Sequence, residues 1–125
     1  MTAEAMLFFD HRPELIPLYE AFEEALFARF PDMSVRVQKT QISFDAPGLF
    51  ACVSLPRRKT DQGIVITFVL AYRLNSERIR DSVEPYPGRW THHMLLGAAE
   101  APDDELMMWL SEAHDFALTR RHIRR

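Results

Sequence analysis

A single cysteine, Cys52, leaves the chain without an internal disulfide, and its place in the apolar run Leu49–Leu55 makes it core material rather than a reactive thiolate. Long hydrophobic runs are absent as well. The longest, Ile64–Tyr72, falls far short of the ~20 apolar residues that span a bilayer. No signal-peptide pattern opens the chain, because Glu4 interrupts the only candidate n-region, so a reducing cytoplasm is the expected setting. HExxH and paired-cysteine spacings do not occur, and Ser43, Ser54 and Ser111 stand outside any nucleophile motif. Internal repeats, low-complexity segments and linkers are missing too. These absences exclude a disulfide scaffold, a helical membrane protein and the well-marked hydrolase and zinc-enzyme classes.

What is present is one domain's worth of chain, residues 1–125, with an ordered core expected over about residues 11–120. A chain of this length buries roughly two-thirds of its unfolded surface and needs no metal or cofactor to fold. Its net charge of −3 is unevenly spread: residues 1–34 carry net −5, residues 35–93 net +4 and residues 94–125 net −2. A basic middle between acidic flanks creates a local potential. The overall pI of 5.9 still argues against a nucleic-acid protein, and Arg57-Arg58-Lys59 reads as a solvated loop.

Periodicity sets the elements. Leu15, Leu18, Phe22, Ala25, Leu26 and Phe30 recur at three- and four-residue steps with Glu14, Glu20, Glu23 and Glu24 opposite, which predicts a helix. Pro17 does not suit a helix interior, so the regular part begins near Ile16. A second helix is predicted from about Pro102 to Arg120, burying Leu106, Trp109, Leu110, Ala113 and Phe116 or Ala117. Its Asp103, Asp104 and Glu105 face the positive end of the macrodipole, Arg120 and Arg121 the negative end, and the tail His122–Arg125 is expected to fray.

Between the helices, Val35–Phe44, Leu49–Leu55, Ile64–Leu74 and Thr91–Leu96 read as strands. Asp45-Ala46-Pro47-Gly48 turns the first into the second. Within Val35–Phe44 the apolar positions change from odd (Val35, Val37) to even (Ile42, Phe44), which predicts a bulge or break near Gln38–Thr40, or two separate short strands. Ser76–Asp81 reads as one helical turn ahead of the turns at Pro85–Gly88. The expected architecture is α+β: a two-layer sandwich with a four-stranded antiparallel meander and both helices on one face.

Pro87-Gly88-Arg89-Trp90-Thr91-His92-His93 places a turn, a guanidinium, an indole and two imidazoles at the entry to a strand. Strand neighbours point to opposite faces, so His92 and His93 cannot share one ion, and His11, His114 and His122 are scattered. No metal site is expected, one histidine of the pair being buried and hydrogen-bonded and the other exposed. Polar residues that core packing does not need make the best candidates. Lys39, Gln41, Arg73, Arg89, His92 and His93 form an expected cationic sheet face suited to a phosphate or carboxylate. The plainer alternative treats these charges as edge protection of an open sheet and Trp90 as a core aromatic.

Val37–Phe44, Leu55–Arg58, Tyr72–Ser76 and Val83–His93 resemble the segments of an uncharacterised bacterial family, a domain of unknown function found alone or as the C-terminal part of longer chains. The resemblance runs from His11 to Arg120, and Glu84–His93 is its most specific block. It implies a compact bacterial cytoplasmic domain, assigns no activity and supplies no catalytic residues. Three readings follow. The first is a binding module for an anionic small molecule or peptide. The second is a homodimer closed by an open sheet face bearing Phe50, Val65 and Val69. The third, ranked last, is a histidine-based hydrolase or transferase, which needs a hydroxyl or carboxylate beside the base.

Overall fold

The computed structural model describes residues 1–123, with side chains through Thr119; the expectations for Arg120, Arg121 and the tail His122–Arg125 lie outside the described side chains and residues. Chain order is α1 (Ala3–Phe8), a 3-10 turn (Pro13–Leu15), α2 (Ile16–Arg29), β1 (Ser34–Val37), β2 (Ile42–Asp45), β3 (Leu49–Ser54), β4 (Gly63–Leu70), β5 (Ile79–Tyr86), β6 (Arg89–Gly97) and α3 (Asp104–Ile123). The fold is α+β, and its antiparallel sheet has six strands rather than four, in the order β1-β2-β3-β4-β6-β5. Among the described residues no helix is long and apolar enough to cross a membrane.

Helix α2 begins at Ile16, so Pro17 falls in the first turn, where a missing N–H costs nothing. Its buried side is Leu18, Tyr19, Phe22 and Leu26. Glu23, expected on the solvent side, is buried instead, because the Tyr19 hydroxyl one turn back donates to its carboxylate at 2.7 Å. Burial and that bond push the Tyr19 phenol far above its usual range. The core also starts before the expected His11: α1 brings in Ala5, and Phe9 packs on the Tyr19 ring at 5.1 Å. Helix α3 buries Leu106, Trp109, Leu110, Ala113 and Ala117. Asp103 caps it, its carboxylate accepting from the Leu106 N–H at 2.9 Å.

The phase change in the first predicted strand is a hairpin. β1 and β2 pair in the register Val37↔Ile42 and Val35↔Phe44, with residues 38–41 as the loop and the Gln38 N–H bonded to the Gln41 carbonyl at 2.8 Å. Partners in an antiparallel pair share a face, so a loop of even length converts odd apolar positions into even ones. A true bulge lies further on, between β2 and β3, and β5 shifts register against β6 at Ile79/Asp81 and Val83/Tyr86. Phe44 opposes Ala51 while Asp45 opposes Leu49, which leaves Phe50 as the extra residue of a β-bulge. Both Phe50 and Ala51 are therefore buried, and Phe50 meets Phe30 and His114 of the helix layer. It does not lie on the open face, where the homodimer reading had placed it.

From β4 onward the meander fails. β6 pairs with both β4 and β5, so β4 and β5 run parallel on either side of it. β5 takes the place of the expected helical turn and loop, few of its residues beyond Ile79 and Val83 being apolar; as an edge strand it pairs on one side only and tolerates Pro85. All three helices cover one face. Phe44 touches Tyr19 and Phe22 of α2, and Phe68 stacks with Trp109 of α3. The opposite face, with Val65, Thr67, Val69, Thr91, His93 and Leu95, is half-exposed.

Gly63, buried at the start of β4, pairs with Gly97, and a Cβ there would overlap the Leu96 carbonyl oxygen. Gly63→Ala is expected to cost about 3 kcal/mol, roughly 10 °C in Tm. Gly97→Ala would meet only the mobile end of Glu100 and is expected to cost under about 1 kcal/mol. Urea denaturation of the pair checks this; equal small losses would rule out the close backbone approach.

Candidate functional site

Residues 71–78 must carry the chain from the end of β4, level with Trp90, back to the start of β5, level with Met94. The segment crosses β6 on the helix side and is tied down at almost every step. Arg73 Nε donates to Ser82 Oγ of β5 at 3.2 Å, and the Leu74 N–H donates to His92 Nε2 of β6 at 2.9 Å. Ser82 and His92 are cross-strand partners, so two consecutive crossover residues are pinned on one pair of the sheet. Ser76 accepts the Arg78 N–H with its hydroxyl and the Ile79 N–H with its carbonyl. Tyr72 donates to Glu112 of α3, and that bond, with some burial, pushes the phenol up to about 12.

Arg78 anchors the far end. Its Nη1 reaches Asp103 and Glu105 of α3 at 3.0 and 2.8 Å, and its guanidinium lies 5.5 Å over the Trp109 ring. Burial opposes the charge there, but the hydrogen bonds that Arg78 donates to Glu105 and Asp103 outweigh it and its pKa is raised. Arg78 is thus consumed by structure. Arg73 is not. Its guanidinium carbon rests 6.0 Å over the Trp90 ring, its Nε is on Ser82, and among the described residues no carboxylate pairs with it.

Between the crossover and β5 opens a cleft of about 340 Å³. Arg73, Asn75, Ser76, Arg80 and Ser82 supply its polar lining, Asp81 the single acidic residue, and Leu74 and Ile79 the apolar remainder. Arg80 is held by the Asp61 carboxylate at 2.9 and 3.3 Å, an exposed pair that a competing anion can open.

His92 stands behind this wall. It is fully buried in an otherwise apolar row, stacked on Phe68 at 5.3 Å. Because Nε2 accepts from Leu74, the neutral ring carries its proton on Nδ1, which has no hydrogen-bond partner among the described residues, while the Phe68 and Trp90 backbone carbonyls near the ring favour its protonation. Burial foremost, then the His93 and Arg73 charges, holds its pKa below the usual histidine value against the pull of those carbonyls.

The other expected site residues lie elsewhere. Lys39 is exposed in the β1–β2 turn, four to five strand spacings (roughly 19–24 Å) from β5 in the sheet order. Gln41 bonds Ser43 at 3.1 Å and Cys52 at 3.4 Å. Arg89 opens β6 with its guanidinium 5.7 Å over Tyr86. His93 points to the open face, opposite to His92, and shares a 2.9 Å hydrogen bond with Thr67. The fold brings together Arg73 and, through Leu74, His92; it does not bring Lys39, Gln41 or Arg89 to them. No single cationic sheet face forms, because Arg73 sits on the crossover at the helix side. Asn75, Ser76, Arg80 and Ser82 went unseen because their segment read as a helical turn and loop.

Across the open face the register aligns Arg36, Ser43, Cys52, Thr67, His93 and Asp81 in one row. Thr67 gives His93 the hydroxyl partner that the hydrolase reading requires, yet the pair stands on an open face and away from the cleft. Among the described residues no group of three His, Cys, Asp or Glu side chains could hold a metal ion. Burial pushes the Cys52 thiol up against the lowering effect of Ser43. Iodoacetamide is therefore expected to label Cys52 at least about tenfold more slowly than a free thiol at pH 7.5, with urea restoring the rate. Labelling of the native protein at the free-thiol rate would overturn the picture of an inert cysteine.

No curated protein and no solved structure matches the chain. A family model does, over residues 6–117, and it covers the cleft, the crossover and all six strands. The chain belongs to the family described as Domain of unknown function (DUF5655).

Proposed function

We propose that this protein is a small binding module for a compact oxyanion, a phosphate or carboxylate, seated in the crossover cleft. The observation that carries the reading is Arg73: a guanidinium oriented by Trp90 and Ser82 at the rim of a polar cleft, with no carboxylate on it among the described residues. A pre-oriented planar cation with hydroxyl and amide groups beside it recognises such anions bidentately, and little ordering entropy is left to lose on binding. The preponderance of polar lining suits a small charged ligand better than a drug-like apolar one. The reading assigns no catalysis. It places the module in a bacterial cytoplasm, where a lone buried thiol stays reduced.

Homodimerisation through the open sheet face ranks second. Val65, Val69 and Leu95 lie there half-exposed. The polar row Arg36, Ser43, Cys52, Thr67, His93 and Asp81 crosses that face, which leaves no continuous apolar centre of the kind a stable dimer interface needs. Sedimentation from micromolar to millimolar protein is expected to show a monomer throughout; a dimer lost in Val69→Asp would reverse the ranking.

Thermal-shift and calorimetric titrations with sulfate, phosphate and small dicarboxylates test the cleft. Binding at ~100 times Kd is worth about 2.7 kcal/mol and raises Tm by several degrees. Arg73→Ala is expected to weaken binding by about tenfold to a hundredfold, from the loss of a charged hydrogen-bond pair worth about 1.5–3 kcal/mol. Arg73→Lys should restore only part of it, and Lys39→Ala should leave it unchanged. An anion that binds Arg73→Ala and the native chain equally would remove the site.

A further inference from the structure

We infer that His92 is a pH-sensitive latch on the crossover cleft: the neutral imidazole holds the cleft wall in place, and the protonated ring releases it. The inference rests on reading that cleft as the anion site. Its geometry is the pair of bonds that fixes consecutive crossover residues to one cross-strand pair. Arg73 is tied to Ser82 and Leu74 to His92. The second bond needs a lone pair on Nε2. A proton there leaves an N–H facing the Leu74 N–H, two donors without an acceptor, in a position with no solvent exposure. Nδ1 offers no relief, since it already carries a proton and has no partner in hydrogen-bond geometry.

Burial and the neighbouring positive charges disfavour the cation and outweigh the opposing pull of the Phe68 and Trp90 carbonyls. The crossover contributes the Arg73 charge and β6 contributes His93. β4 contributes the Phe68 ring, behind which α3 places the Trp109 indole. Of the carboxylates on the neighbouring elements, Glu112 is bonded by Tyr72 and Glu105 and Asp103 by Arg78, while Glu77 of the crossover is exposed and Asp81 of β5 is level with His93 on the opposite face. β5 presents Ser82, which is occupied by Arg73. The uncharged ring is thus the only form that suits the closed wall, whereas a released segment exposes the ring to water, where it takes up a proton at an ordinary histidine pKa of ~6.5. The sign follows. The closed state binds fewer protons than the released one, so it is most favoured above about pH 6.5 and loses that advantage progressively as the pH falls below it. Loss of the wall frees Arg73 from its orientation and empties the cleft of its geometry. Anion binding therefore weakens on acidification. Simple charge addition predicts the reverse, because a new imidazolium near the cleft would strengthen it.

The test uses the full chain. In amide and imidazole NMR between pH 8 and 5, the Leu74 amide should shift together with the His92 ring, while amides of β3 and α2 stay native. Leu74 unmoved across the His92 titration, or global unfolding in step with it, would overturn the latch. His92→Gln keeps an acceptor for Leu74 without a titrating proton, so its Leu74 amide should stay put. His92→Phe keeps the ring stack without the acceptor and should show the released Leu74 amide at every pH; a closed, native-like signal in that variant would also overturn it. Inorganic sulfate, whose charge is constant over this range, supplies the binding arm. Native affinity should fall severalfold, with about tenfold as the ceiling that one proton sets, between pH 7.5 and 5.5 and be held in His92→Gln, and an equal fall in both would sink the proposal. Sulfate that fails to bind at pH 7.5 would count against the anion reading, and the amide titration alone would then decide the latch.

Discussion

Strand β6 lies between β4 and β5, and the chain must therefore pass over it in the eight residues 71–78. Parallel neighbours are ordinarily joined by a dozen residues or more, commonly a helix that buries its own apolar face. A segment this short has no regular backbone hydrogen bonds and little apolar surface. It is held by side chains instead: Tyr72 and Arg78 to α3, Arg73 and Leu74 to the sheet. Every other feature of the candidate site depends on this constraint. The cleft exists because the crossover stands off β5, and Arg73 is oriented because its neighbour is fixed.

The same constraint explains why polar groups occupy the interior. A fully buried imidazole in an apolar strand row costs free energy unless it is bonded, and one nitrogen of His92 is not. Its retention makes sense as the acceptor for a backbone N–H that the irregular crossover would otherwise leave unpaired. Arg78 is the counterpart at the other end, with two carboxylates and an indole face matching one guanidinium while its Nη2 stays unpaired. The two residues hold the wall from opposite sides by different means. Arg78 keeps its charge at any physiological pH, and His92 does not.

Much of this was legible from residue order, for reasons that differ by element. β4 was visible because Ile64, Ile66, Phe68 and Leu70 alternate with Val65, Thr67 and Val69 on a strand paired on both sides. α3 was visible because four turns of apolar spacing and an acidic first turn agree. The β1–β2 hairpin left its mark as a parity change that a single strand cannot produce, but the same mark fits a bulge. β5 left almost none: an edge strand with charges on it obeys its neighbour rather than its own pattern. Among site residues, Arg73 stood out as a charge at the end of an apolar run, and the His92–His93 pair split across the sheet as strand geometry requires. Asn75, Ser76, Arg80 and Ser82 carried no periodic signal at all.

Local physics within the sequence therefore determined the class of the fold, the start of α2 at Ile16 and of α3 to within two residues, and the opposite facing of the two histidines, while α1 went unmarked. Those follow from propensity, period and burial, which act over a few residues. Tertiary structure alone decided that β6 inserts between β4 and β5, that Phe50 turns inward at a bulge, and that Arg73 rather than Lys39 meets the cleft. Such outcomes depend on which strands pair, and pairing is settled by the summed packing of residues far apart in the chain. Buried His92 belongs to both accounts: alternation sent it inward, and the crossover gave it a partner.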